Sequence, residues 1–174
     1  WSGFVFDGTR TGFTNLEQNR NENCTVFNAD SWNNTDENVG TPRGMSIATD
    51  YTMLTDNAVN SSATGYYISG TNVVVDGCEA HDWNYDNGFY CLAPQIKMTN
   101  CTANGNSFGN GFSLAYNAGA LVTNCEALNC SNMGFRLHAP QRNSSLANCK
   151  AINCGYGLRA ENTASWTRAA ANVT

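Results

Sequence analysis

The segment 81–86 concentrates an imidazole, two carboxylates and two large aromatic rings within six residues. His81, Asp82 and Asp86 are residue types that serve as general acids and bases. Two carboxylates placed on either side of a glycosidic bond can also hydrolyse it. A polar turn between two strands is the simpler interpretation, so these three residues are catalytic candidates without an assigned role.

A second candidate site is a row of side chains that recur every 23 residues. The row consists of Tyr67, Tyr90, Ser113, Arg136 and Arg159. Aromatic rings stack against flat partners, and guanidinium groups bind carboxylates through two parallel hydrogen bonds. The row therefore predicts a face that binds an acidic sugar chain, with a solvated outer surface as the alternative. The nearby side chains that would extend such a site are His138, Gln141 and Arg142.

Nucleophilic and metal-dependent chemistry has less support in the sequence. His81 and His138 both fall in predicted turns without a matched nucleophile, so no catalytic triad is expected. The cysteines lack the Cys-x-x-Cys spacing of zinc sites. Asp30, Asp36 and Glu37 carry calcium-type ligands, but their spacing fits no known calcium loop. We therefore expect no cofactor.

The elements that must position these residues come from an internal repeat with two marks. A glycine followed by a large apolar residue recurs at intervals of 23, at Gly65, Gly88, Gly111, Gly134 and Gly157. A turn-plus-cysteine mark recurs at intervals of 23 and 24, at Cys78, Cys101, Cys125 and Cys149. A period of this length built from short strands predicts a solenoid whose coils stack in parallel.

Alternation along each strand separates inner from outer residues. The inner row is expected to contain Tyr66, Phe89, Phe112, Phe135 and Leu158. Stacked asparagines are expected at one turn, at Asn100, Asn124, Asn148 and Asn172, because asparagine tolerates the left-handed conformation. Glu126 and Lys150 should form a minor surface ion pair on adjacent coils.

These marks resemble those of the right-handed parallel β-helix, or pectate-lyase-like, superfamily. The resemblance covers residues 44–174 and, more loosely, the whole chain. It implies an all-β, right-handed parallel β-helix with 23–24 residues per coil and about six to seven coils. We expect one domain over residues 1–174, with an irregular long turn at about 28–43. The superfamily contains polysaccharide lyases, hydrolases, epimerases, tailspikes and adhesins, and the segment 81–86 faintly resembles part of the mannuronan epimerases.

The cysteines of adjacent coils should lie within disulfide distance of one another. The predicted bridges are Cys78–Cys101, Cys125–Cys149 and Cys130–Cys154. Free thiols that pack as small apolar side chains are the alternative.

Seven Asn-x-Ser/Thr sequons are present. Those on predicted turns, and hence the better glycosylation candidates, are Asn33, Asn60, Asn129 and Asn143. The weaker ones, expected in a buried ladder, are Asn23, Asn100 and Asn172. Together with the cysteines, the sequons favour an extracellular or cell-surface glycoprotein.

Charge and composition exclude some partners. The net charge is −5 and only 13% of the residues are charged, so there is no basic surface for a nucleic acid. No apolar run is long enough to span a membrane. No cap is apparent at either end of the repeat, so we expect a segment or repeat unit that associates with itself head to tail.

Three function hypotheses remain open. The first is an extracellular structural or adhesive β-helical protein that stacks into a filament. The second is a lyase, epimerase or hydrolase acting on acidic glycans. The third is a segment of a glycan-binding phage tailspike.

Overall fold

The computed structural model describes residues 64–81, 83, 87–105, 109–115, 119–138 and 144–161 with their side chains. Before residue 64 it describes the backbone of six strands. These early strands are β1 (Val5–Asp7), β2 (Thr25–Phe27), β3 (Trp32–Asn34), β4 (Arg43–Ile47), β5 (Met53–Thr55) and β6 (Ala58–Ser61). One of them, β3, lies inside the stretch for which a long irregular turn was predicted.

The later strands continue the same order, three to a coil. They are β7 (Thr64–Ile68), β8 (Val74–Asp76), β9 (Glu79–His81), β10 (Asn87–Cys91), β11 (Lys97–Thr99), β12 (Thr102–Asn104), β13 (Asn110–Leu114), β14 (Leu121–Thr123), β15 (Glu126–Leu128), β16 (Met133–Leu137), β17 (Ser145–Ala147), β18 (Lys150–Ile152) and β19 (Tyr156–Ala160). All but β11, which follows a bend at residues 93–95, follow a turn or bend that contains asparagine, glycine or serine, or lie next to residues outside the described ranges.

The strands form three sheets in which every neighbouring pair is parallel. Sheet A has the order β1-β2-β5-β8-β11-β14-β17, sheet B the order β4-β7-β10-β13-β16-β19, and sheet C the order β3-β6-β9-β12-β15-β18. The described residues contain no helix. The molecule is thus an all-β parallel solenoid with about 23 residues per coil, and about 3 turns of it are established, fewer than the six to seven coils predicted.

Left-handed residues make the sharp corner between sheets A and C. Gly77, Asn100, Asn124 and Asn148 all have φ between 52° and 62°. Only glycine, asparagine and a few other residues adopt this conformation at low cost. The Asn-Cys mark is therefore a corner: the asparagine turns the chain and the cysteine that follows points inward.

The same corner carries an asparagine ladder on its outside. Asn124 donates to the side-chain oxygen of Asn100 at 3.4 Å, and Asn148 donates to that of Asn124 at 3.4 Å. This confirms the predicted column over those residues, whereas Asn172 lies outside the described ranges. The ladder is exposed to solvent rather than buried, since each left-handed residue directs its side chain away from the core.

Stacked aromatic rings fill the interior. The rings of Tyr66, Phe89, Phe112 and Phe135 lie nearly parallel, with successive centroids 4.6, 4.9 and 4.9 Å apart. These separations match the spacing of neighbouring strands and give favourable contacts between rings. The predicted inner row is confirmed for these residues, and Leu158 continues it in register with Phe135.

Glycine precedes each ring because sheets B and C converge there. A Cβ atom added to Gly111 would lie 2.8 Å from the Ala127 Cβ and 2.8 Å from the Gly134 carbonyl oxygen. Real Cβ atoms do not approach other atoms that closely, so only glycine fits without displacement. The repeated glycine is therefore a packing requirement of the coil.

No helix within the described residues is long and apolar enough to cross a membrane.

Candidate functional site

The outer side of sheet B carries the predicted row, which we call the Tyr–Arg face. Its members are Tyr67, Tyr90, Ser113, Arg136 and Arg159, each opposite the next in the strand register. The rings of Tyr67 and Tyr90 meet edge to face, with centroids 5.7 Å apart and planes inclined by 69°. The structure thus brings together all five residues that the 23-residue spacing had aligned.

A hydrogen-bonded cluster lies at the centre of this face. Ser113 Oγ is 2.8 Å from His138 Nε2, and His138 Nδ1 is 3.4 Å from Glu161 Oε2. Glu161 Oε1 in turn accepts hydrogen bonds from Arg136 Nε at 2.9 Å and Arg136 Nη2 at 2.6 Å. Four side chains from three successive coils therefore form one connected network.

The strand geometry explains why these four residues meet. His138 follows Arg136 by two residues and Glu161 follows Arg159 by two residues, so alternation places them on the outer side with the row. The backbone continues its ladder through both positions, since His138 N donates to Leu114 O and Glu161 N donates to Leu137 O. His138 directly follows strand β16, and the sheet register brings the Ser113 hydroxyl beside it. Whether either residue takes part in catalysis stays a prediction.

Charge within the cluster is balanced. Two hydrogen bonds from the Arg136 guanidinium hold the pKa of Glu161 below its usual value of 4.5, with a smaller electrostatic contribution from His138. Glu161 is therefore a carboxylate at neutral pH. Ser113 is only 1% exposed, whereas the side chains of His138 and Glu161 are 21% and 28% exposed.

The segment 81–86 is described in part. His81 Nε2 lies 2.9 Å from Glu79 Oε2, and both side chains are exposed on sheet C. Trp83 is buried in the core, so this ring supports the fold and is not available to a ligand. Asp82 and Asp86 lie outside the described residues, and their proposed acid–base role stays a prediction.

The cysteine column is a stack of inward thiols. No disulfide joins the seven cysteines that the structure describes, so each carries a thiol. Each inward thiol lies 3.2–3.4 Å from the carbonyl oxygen two residues earlier, as seen at Cys78, Cys101, Cys125 and Cys149. The thiol therefore also gives a hydrogen-bond partner to a backbone carbonyl group at the corner. The three predicted disulfides stay predictions.

Neighbouring thiols also contact one another. Cys125 interacts with the thiols of both Cys101 and Cys149. The hydrogen bond to Cys101 and burial raise the pKa of Cys125 to about 12. Burial likewise raises the pKa of Cys130, which is hydrogen bonded to Cys154. Thiols of this kind are poor nucleophiles at neutral pH, so exchange with external thiols should be slow.

Three described sequons, at Asn33, Asn60 and Asn100, differ from the prediction, whereas Asn129 lies at an exposed bend as predicted. Asn33 and Asn60 lie in strands β3 and β6 rather than in turns, because the third strand of the coil already occurs at those positions. Asn129 is itself a ladder residue: it donates to Asn104 at 2.9 Å and accepts from Asn153 at 2.8 Å. Asn100 is exposed rather than buried. The remaining sequons, at Asn23, Asn143 and Asn172, lie outside the described residues.

The charged groups on sheet C and its corner are paired. Lys150 Nζ lies 2.7 Å from Glu126 Oε1, which confirms the predicted surface ion pair. Asn100 donates to Asp76 at 3.1 Å. Within the described residues, no three His, Cys, Asp or Glu side chains are close enough together to hold a metal ion. Asp30, Asp36 and Glu37 lie outside these residues.

Fold and face together define a parallel β-solenoid with a polar, aromatic outer sheet. The model of the right-handed β-helix region matches residues 43–174, and the chain belongs to this family. No curated protein and no solved structure matches the chain. The family establishes the architecture, and the function has to be argued from the outer residues.

Proposed function

We propose that this protein is an extracellular structural and adhesive β-helical protein that binds acidic glycans along the Tyr–Arg face. The observation that carries the proposal is the row on the outer side of sheet B, in which Tyr67 and Tyr90 stand on one side of Ser113 and the two arginines on the other. Aromatic side chains at neighbouring rungs offer apolar surface to sugar rings, and arginines beside them offer charge to carboxylates.

The two arginines contribute differently. Arg136 already donates two hydrogen bonds to Glu161, so its charge is largely compensated. Arg159 is exposed and follows Arg136 in the register. Arg159 is therefore the cation that we expect to bind an anionic sugar, with the tyrosines setting the direction of the chain.

Binding to a polyuronate tests this assignment. We expect Arg159→Gln to weaken binding about tenfold and to reduce its salt dependence, because one charge contact is lost. Tyr90→Ala should weaken binding to acidic and neutral sugars alike. Lys97→Gln is the matched control, since it removes the same charge from sheet A. Equal losses for Arg159→Gln and Lys97→Gln would show non-specific charge attraction and overturn the proposal.

Extracellular location and glycosylation form part of the same proposal. The sequons at exposed corner positions support it, and so does the column of neighbouring thiols, because thiols of an extracellular protein meet an oxidising compartment. Intact mass of the natural protein, before and after deglycosylation and reduction, tests both points. Sugar mass and oxidised cysteines would support an extracellular glycoprotein. A bare mass with eight free thiols would favour the tailspike or bacterial alternative instead.

We further propose that the solenoid extends to six or seven coils and associates end to end with a second copy. The pairing of β1–β6 with later strands supports the extension. On the last described strands, Ile152, Tyr156 and Leu158 are 45%, 64% and 40% exposed. Such apolar residues at a strand edge favour pairing with a further coil. Sedimentation that shows only monomers at high concentration would contradict the association.

A further inference from the structure

The hydroxyl, imidazole and carboxylate at the centre of the Tyr–Arg face follow the order of a nucleophilic catalytic site. His138 uses one ring nitrogen for the Ser113 hydroxyl at 2.8 Å and the other for the Glu161 carboxylate at 3.4 Å. An imidazole placed in this way can accept the serine proton while the carboxylate stabilises the resulting positive charge. The arrangement is recognised by geometry and does not depend on the fold.

We propose that Ser113, His138 and Glu161 form an acyl-transfer centre that hydrolyses esters of small carboxylic acids. Ser113 is the nucleophile and His138 the general base. Glu161 is a positioning residue that acts through His138. The nucleophile lies between Tyr90 and Arg136 in the row and is 1% exposed, so only a small acyl group can reach it.

The reaction balances with water as the only co-reactant. Ser113 Oγ forms a bond to the ester carbonyl carbon as its proton moves to His138 Nε2. The bond from that carbon to the alcohol oxygen then breaks, and the alcohol takes the proton from Nε2. Water next attacks the acyl-serine and gives its proton to Nε2, and Ser113 recovers that proton as the carboxylic acid leaves.

Arg136 has one guanidinium nitrogen, Nη1, outside its ion pair with Glu161, and this nitrogen can serve as a hydrogen-bond donor near Ser113. Arg136 is the register neighbour of Ser113 on the next strand, and its ion pair with Glu161 uses Nε and Nη2. Donors fixed beside a developing oxyanion are among the largest contributions to acyl transfer. The centre is independent of the proposed glycan binding, since a small ester tests it directly.

The chain provides its own control. His81 and Glu79 form a second imidazole–carboxylate pair, at 2.9 Å, on sheet C. In this pair, His81 Nε2 lies beside the Glu79 carboxylate. In the proposed centre, His138 Nε2 lies beside the Ser113 hydroxyl. Ester hydrolysis by an exposed histidine alone would therefore persist in Ser113→Ala, whereas hydrolysis by the proposed centre would be lost.

The test uses the full chain and p-nitrophenyl acetate. We expect an acid quench to trap the acetyl group as a label on Ser113, as located by peptide mass, and hydrolysis to saturate with substrate. Ser113→Ala should abolish both while retaining the thermal midpoint, and His138→Gln should lower kcat/KM about 100-fold or more. Glu161→Gln should lower kcat with little change in KM, and Glu161→Asp should restore part of the rate. Thr123→Ala, which removes a hydroxyl from sheet A, should match the wild type.

The proposal would be overturned if folded wild-type protein showed no label on Ser113, or if Ser113→Ala hydrolysed the ester as fast as wild type. Should His138→Gln fail to fold, labelling of the wild-type serine still decides the question. Loss of ester hydrolysis with retained polyuronate binding, or the reverse, separates this centre from the proposed glycan-binding function.

Discussion

The two sides of sheet B follow opposite rules. On the inner side, one aromatic ring follows another from Tyr66 to Phe135, with nearly parallel planes. On the outer side, the same strands carry tyrosine, serine and arginine at successive rungs. The inner side is constrained by stacking, so it repeats. The outer side is free to vary, so chemistry can be placed there one residue at a time without disturbing the coil.

Phe112→Ala should give the largest difference between the two sides. Phe112 is fully buried with a ring stacked above and below, so truncation removes contacts and leaves a cavity. We expect a loss of about 3–5 kcal/mol in the free energy of unfolding, measured by denaturant titration. Ser113→Ala, one residue away on the outer side, should cost far less. Similar losses for the two variants would contradict the contrast.

Gly111→Ala tests whether the packed interior also excludes an additional methyl group. The new Cβ would contact the Ala127 Cβ and the Gly134 carbonyl oxygen at 2.8 Å each. Overpacking of this kind should cost about 1–3 kcal/mol, as measured by the denaturation midpoint. Adding Ala127→Gly removes one of the two obstructions and should recover part of the loss. A double variant no more stable than Gly111→Ala would contradict strain at Ala127 and leave the Gly134 carbonyl oxygen and Cys130 Sγ, at 2.8 and 3.1 Å, as its sources.

Asn87→Ala probes a polar rung inside the solenoid. Asn110 Nδ2 donates to Asn87 Oδ1 at 2.8 Å, and both side chains are buried. Asn110 Oδ1 has no partner within the described residues. Removal of Asn87 would leave Asn110 Nδ2 unsatisfied as well. We expect a cost of about 1–2 kcal/mol by thermal denaturation.

Asn148→Gly is the exposed counterpart of that change. Glycine tolerates the φ of 52° at this corner, and water can replace the 3.4 Å ladder bond. Its cost should be smaller than that of Asn87→Ala. A larger cost would mean that the outer ladder contributes more than the buried amide pair.

Glu161→Gln should have the smallest effect on stability, and that effect should depend on pH. The folded-state pKa of Glu161 is lowered by Arg136, so its contribution is fully present above the usual value of 4.5. It is lost as the pH falls through the lowered value. We expect the variant to be less stable than wild type by under about 1 kcal/mol at pH 7, since the partners are partly exposed.

Unfolding curves at neutral and at strongly acidic pH measure this dependence. The gap between wild type and Glu161→Gln should close at the acidic end. Glu126→Gln removes the exposed partner of Lys150 and serves as the comparison on sheet C. A gap that stayed constant with pH would rule out the carboxylate charge as its origin.

The inner side of sheet B was predictable because every coil needs the same residue types at the same inner positions. Glycine, ring and cysteine recur at the coil length, so the stack of Phe89, Phe112 and Phe135 follows from spacing alone. The Ser113–His138–Glu161 cluster was missed because its members differ in type and belong to three coils. A signal was present: His138 and Glu161 are 23 residues apart, and each lies two residues beyond an outer arginine. To find this cluster from the sequence, one has to extend the strand register one residue beyond the end of β16 and β19.

The Gly–ring–Cys coil has a consequence for how such a molecule can change over evolutionary time. Each coil contacts mainly the coils on either side, so a whole coil can be duplicated or removed while the flanking coils meet in the same register. A duplication of this kind would leave the core pattern intact and would lengthen the outer face by one more rung. The outer residues of the new coil could then change independently of the core, so surface chemistry can be gained or lost one coil at a time.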